Sequence, residues 1–159
     1  MTHKIETIDK FNISVRQVNP LRLAWVDLLN RYNWDWFVTL TFRDLPSSFT
    51  AVNRVKKWLT AIQKDEKRAI GYFMATEWFK TRKCPHFHLL MGNLEGVRRD
   101  KWWKTWFTWY GRNRILPYDR EKRAGYYLTK YVIKDENDSA LFAIEGLEYL
   151  NQLYLRGVS

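Results

Sequence analysis

The chain has 159 residues, 46% hydrophobic and 17% aromatic, with 27 Lys+Arg against 17 Asp+Glu and a net charge of +10. That is the size of one domain with a substantial core, and its basic surface favours polyanionic partners, nucleic acid or anionic membrane. No run approaches the about 18 apolar residues of a membrane-spanning helix, no apolar signal region opens the chain, and a single cysteine excludes an internal disulfide.

One domain over residues 1–159 is therefore expected, in a reducing, cytoplasmic setting. Nine tryptophans and nine tyrosines beside the cations suit single-stranded nucleic acid, because aromatic faces stack unpaired bases while cations follow the phosphates.

Residues 1–18 are polar, and a flexible segment is expected there. Leu21, Leu23, Ala24, Val26, Leu28 and Leu29 give a mostly helical pattern opened after Asn19-Pro20. Trp36 to Phe42 is rich in β-branched and aromatic residues and reads as a strand, with Val38, Leu40 and Phe42 on one face and Phe37, Thr39 and Thr41 on the other. After a turn at Leu45-Pro46-Ser47-Ser48, whose serine can cap a helix, Val52, Val55, Trp58, Leu59 and Ile62 follow at helical spacing to about Lys67. Gly71 to Phe79 is the next strand, Lys80 to Pro85 a basic turn, and His86 to Met91 the hairpin partner. Arg99 to Tyr110 is an aromatic-loaded helix ended by Gly111, Arg114 to Tyr118 an edge strand, and Arg120 to Lys134 a further helix. Ser139 to Leu155 is apolar in patches and has no clear periodicity. Strand, helix, hairpin, helix, strand, helix is an α+β plan with a mainly antiparallel sheet.

Only three histidines occur, and two form the triplet His86-Phe87-His88. On a strand, both imidazoles face one side while Phe87 points into the core. Two imidazoles on one face are half of a divalent-metal site; the alternative is a satisfied structural pair. Glu77 is the candidate third ligand. A hairpin pairing Phe79 with His86 sets Glu77 opposite His88 and on its face. A His₂–carboxylate set leaves positions open for catalysis and suits Mn²⁺ or Mg²⁺, with Zn²⁺ also possible. Cys84 is a weaker candidate, since Pro85 separates it from His86.

In the segment from Gly125 to Lys134, Tyr127 and Tyr131 are four residues apart and share a helix face, about 6 Å from each other. Lys130 and Lys134 lean to the same side, next to an apolar ridge of Ala124, Leu128 and Val132. A lysine favours the phenolate of a group whose pKa is normally about 10, which makes these tyrosines candidate nucleophiles towards a metal-polarised phosphate. Packing on an aromatic-rich helix is the alternative.

Taken in order, Phe37-Val-Thr-Leu-Thr-Phe42, Glu77 with Pro85-His86-Phe87-His88-Leu89-Leu90, and Tyr127-Leu-Thr-Lys130-Tyr131-Val-Ile-Lys134 resemble the three motifs of rolling-circle replication initiators, the Rep branch of the HUH endonuclease superfamily. The resemblance spans residues 36 to about 135. It implies a central five-stranded antiparallel sheet of ferredoxin-like or RRM-like type flanked by helices. It also implies a metal-dependent nickase and strand-transferase that cuts single-stranded DNA at an origin hairpin and stays bound through a 5′-phosphotyrosine. Glu77, His86 and His88 would hold the ion, Tyr127 or Tyr131 would attack, and Lys130 and Lys134 would assist. No helicase domain follows, so a host helicase and polymerase are the expected partners, in a prokaryotic cell or the host of a plasmid or virus.

Arg43, Lys80, Arg82, Lys83, Arg112 and Arg114 are candidate DNA contacts. The aromatics of Lys101 to Tyr110 form two helical stripes, Trp102, Trp106 and Trp109 in one and Trp103, Phe107 and Tyr110 in the other, and most are expected in the core. A single-tyrosine HUH transposase, or a non-catalytic single-strand-binding module, would share several of these features.

Overall fold

The computed structural model describes residues 20–79, 81, 83–122 and 142–152. Helix α1 (Pro20–Asn30) is followed by β1 (Trp36–Leu40), α2 (Ser48–Glu66), β2 (Gly71–Phe79), β3 (Cys84–Gly92), α3 (Arg99–Trp109), β4 (Asn113–Pro117), β5 (Phe142–Glu145) and a 3-10 turn at Leu147–Tyr149. The strands form one five-stranded sheet in the order β4-β1-β3-β2-β5, with every neighbouring pair antiparallel. The expected α+β architecture is the observed one.

Local chemistry sets the element ends. Ser47 caps α2, its hydroxyl accepting the Thr50 N–H at 3.3 Å, and the helix stops at Lys67, which turns left-handed at φ 53°. Ala51, Val55, Trp58, Leu59 and Ile62 form the buried stripe of α2, while Trp102 and Trp106 are the buried residues of α3. Both helices cover the sheet face that carries Val38, Leu40, Phe87, Leu89 and Met91. The buried indoles keep their N–H groups bonded: Trp58 to the Trp102 carbonyl, Trp102 to Glu66 and Trp106 to the Thr41 carbonyl.

The opposite face is covered at one end only. Leu29 of α1, Trp34 and Leu150 pack there on Phe37, Phe73, Ala75 and Leu90. Leu150 seats so closely that a Cβ on Gly71 or Gly92 would lie 2.7 or 2.5 Å from its side chain, so two glycines at the ends of β2 and β3 make that approach possible. The other end of those strands, on the same face, carries Glu77, His86 and His88.

Several expected boundaries shift. The hairpin turn is tighter than Lys80–Pro85: β3 begins at Cys84, and Phe79 pairs with Cys84, so Glu77 lies opposite His86 rather than His88. The slip is two residues, which preserves the face. Strand β4 starts one residue early, at Asn113, and is an edge as expected. Its outward carbonyls are capped by α3: Trp103 Nε1 donates to the Asn113 carbonyl at 3.0 Å and Arg99 to the Ile115 carbonyl at 3.3 Å. The aromatics of α3 divide. Trp102 and Trp106 are core, whereas Trp103, Phe107 and Trp109 are exposed. The unassigned C-terminal patch supplies β5, the fifth strand. Residues 120–122 form a turn, and the rest of the helix expected to Lys134, with residues 1–18, lies outside the described residues.

Candidate metal centre

The centre is built on one cross-strand diagonal. In β2 and β3, Glu77 is the partner of His86, and Ala75 is the partner of His88. Alternation along β3 sends both imidazoles to one side and buries Phe87 on the other. The small Ala75 side chain leaves room for Glu77 to reach diagonally as well as straight across. Its Oε2 lies 2.9 Å from Nε2 of His86 and 2.9 Å from Nε2 of His88. The two rings stand edge to face with centroids 4.9 Å apart.

Both histidines are 5% exposed. Burial pushes the His88 imidazole down to about 4, against the pull of Glu77, and also lowers that of His86. Desolvation prevails over a carboxylate at hydrogen-bond distance because the imidazolium loses its water shell. At neutral pH both rings are uncharged, and a neutral imidazole is the form that ligates a metal.

The donor atoms of Glu77, His86 and His88 all lie within 4.8 Å of one another. Bonds of about 2.1 Å hold the ligands of one ion roughly 3–4 Å apart, so this group needs little contraction to hold a cation. It fits a divalent ion: two nitrogens and one oxygen converge from two strands, and the remaining positions are not supplied by the group. Cys84 is not part of it. That thiol is buried in the cluster beneath the helices, 3.8 Å from the Asp44 carbonyl.

Strand β1 supports the centre from the other side of β3. Thr39 is the register partner of His88, and its Oγ1 lies 3.2 Å from His88 Nδ1. Phe37, two residues earlier, stacks on the His88 ring at 6.3 Å with the planes 6° apart. These two residues carry no signal of their own in the sequence. Their role follows from the β1–β3 register, which joins positions 49 residues apart.

The predicted DNA contacts fall in different places. Arg114 is the register partner of Thr39, so it projects from the sheet face that carries His88, and it is exposed. Arg112, also exposed, precedes it by two residues, and its carbonyl accepts from the Thr41 amide and hydroxyl. Arg43 is committed elsewhere: its guanidinium donates to the Phe107 and Thr108 carbonyls at the end of α3 and lies over the Phe107 ring. There it meets the negative end of the helix dipole. Lys83 is exposed in the hairpin turn at φ 47°. Lys80, Arg82, Tyr127, Lys130, Tyr131 and Lys134 lie outside the described residues.

No helix among the described residues is long and apolar enough to cross a membrane. Comparison with curated proteins and with solved structures gave no match. A family model, however, covers residues 35–136, from just before β1 to beyond the proposed tyrosine segment. On that match, which takes in Glu77, His86 and His88 and nearly two-thirds of the sequence, the chain belongs to the ORF2 family of replication-associated proteins.

Proposed function

We propose that this protein is a metal-dependent nicking and joining nuclease of the HUH type, acting on single-stranded DNA to initiate and terminate rolling-circle replication. The observation that carries the reading is the convergence of Glu77 Oε2 on Nε2 of both His86 and His88, at 2.9 Å each, in a chain of a replication-associated family. A two-nitrogen, one-oxygen donor set with an anionic carboxylate suits Mn²⁺ or Mg²⁺. When bound, the cation would polarise a non-bridging oxygen of the scissile phosphate and stabilise the charge that develops there.

The rest of the chemistry belongs to the chain. The phenol of Tyr127 or Tyr131 attacks phosphorus, a tyrosyl–phosphate ester forms, and the phosphorus–O3′ bond breaks. The phenolic proton passes by way of Lys130, Lys134 or solvent to the departing 3′-oxygen, which leaves as a hydroxyl. One phosphoester replaces another, so the reverse attack by a 3′-hydroxyl rejoins strands without ATP. Arg112, Arg114, Lys83, Lys80 and Arg82 are the proposed phosphate contacts, and duplex unwinding would fall to a host helicase ahead of a host polymerase. Arg43, held by α3, is the weakest of the contacts inferred from the sequence.

The test is a labelled single strand carrying a candidate origin hairpin, incubated with Mn²⁺ and run on a denaturing gel. A covalent adduct is expected with the native chain. The adduct should vanish in EDTA, in His88→Ala and in a Tyr127→Phe, Tyr131→Phe double variant. An adduct surviving in the double variant would end the proposal.

A further inference from the structure

We propose that Thr39 is a positioning residue for the metal centre, and that its hydroxyl serves His88 in both the metal-free and the metal-loaded protein. The proposal rests on the metal reading given above and deepens it. A histidine that ligates through one ring nitrogen normally donates its other N–H to a fixed acceptor, and that partner sets the ring's orientation and tautomer. Here the partner of Nδ1 is the Thr39 hydroxyl at 3.2 Å, from the strand on the far side of β3 from Glu77.

A hydroxyl can donate or accept, and that matters for this ring. Without an ion, Glu77 Oε2 lies 2.9 Å from His88 Nε2, so Nε2 carries the proton and Nδ1 accepts from the Thr39 O–H. With an ion on Nε2, the proton moves to Nδ1, and the same Thr39 oxygen accepts it. A carbonyl or carboxylate at this position would suit the second state only. Thr39 allows the ring to change tautomer without losing its bond or turning in its slot. The Phe37 ring stacked 6.3 Å away on the same strand holds the ring plane. Strand β1 therefore acts on the centre through its register with β3, although neither Thr39 nor Phe37 belongs to the metal-ligating group.

The experiment is titration of the full chain with Mn²⁺ alone, by calorimetry, for the native protein, Thr39→Val and Thr39→Ser, with the thermal midpoint of each metal-free protein measured alongside. Valine keeps the shape and β-branching and removes the hydroxyl; serine keeps the hydroxyl. Thr39→Val is expected to bind Mn²⁺ about 10- to 100-fold more weakly. Thr39→Ser is expected to stay within a few-fold of native. Should the valine variant fail to fold, Thr39→Ala carries the same expectation. Native-like affinity in a folded Val or Ala variant overturns the proposal, as does a serine variant as weak as valine. A native chain that takes up no Mn²⁺ fails at an earlier step, the metal reading itself, and removes this proposal with it.

Discussion

His86 and His88 sit where an imidazole is least able to hold a proton, and that ties the centre to pH. Both are buried, and both have pKa values lowered by desolvation, His88 to about 4. In the unfolded chain each would titrate at about 6.5. Between those limits the unfolded state binds more protons than the folded one, so folding stability falls as pH falls. The contribution is fully present above about 6.5 and is lost progressively towards about 4, at roughly 1 kcal/mol per pH unit for a fully titrating ring. Urea unfolding of the metal-free protein at pH 7.5, 6 and 5 should show this decline, and His88→Gln should flatten it. An equal slope in that variant would mean that other groups drive the acid response. The ligand trio is legible from residue types alone, because a two-residue period fixes which side chains share a face. Thr39 is not, since nothing near position 39 announces that it lies beside position 88.

At the scale of elements, the hairpin shows what sequence can and cannot set. The parity of Glu77 with His86 and His88 is legible, while the pairing is two residues off, because Pro85 reads as a strand breaker and yet lies inside β3. It sits beyond the last β1 pairing, Leu40 with Phe87, where β2 alone flanks the strand. Such a position tolerates a missing N–H. Strand β5 is illegible for a different reason. Four residues that form a strand only by pairing with Tyr72 to Ala75 carry no period long enough to read. Gly111, by contrast, reads only as a helix stop and has a second task. It adopts φ 145°, and a Cβ there would lie 2.6 Å from the Arg43 backbone nitrogen. The lack of a Cβ lets the α3–β4 connection close on the end of β1, where Arg43 N donates to the Tyr110 carbonyl at 2.8 Å. Gly111→Ala is expected to destabilise the fold by about 1–3 kcal/mol, since strain and contact act together. A thermal melt should show a drop of roughly 2–4 °C per kcal/mol for a chain of this length. An unchanged midpoint would mean that the connection relaxes freely.

For the whole molecule, the distribution of charge matters more than the total of +10. Several cations are matched by carboxylates: Arg54 by Asp44 at 2.8 Å, Arg98 by Asp100 at 2.7 Å and Lys101 by Asp65 and Glu66. Among the described residues, no carboxylate lies within ion-pair distance of Arg112 or Arg114, and Arg114 is joined to the metal-side row through Thr39 and His88. Adjacent strands are about 4.8 Å apart, so a single strand engaged at the His pair would reach β4 within roughly 10 Å. If those two arginines neutralise phosphates, each contributes counterion release worth about 0.7 to the slope of log affinity against log salt for single-stranded DNA. Arg112→Gln with Arg114→Gln should lower that slope by about 1.4, whatever the sequence of the strand, because phosphate contacts carry no base information. Arg98→Gln is the matched control: it removes the same kind of charge from a residue already held by Asp100, and it should leave the slope close to native. Equal losses per charge removed in the two proteins would mean that the DNA responds to net charge alone. A loss confined to the β4 pair would trace the path of the strand from the His pair across β1 to the edge of the sheet.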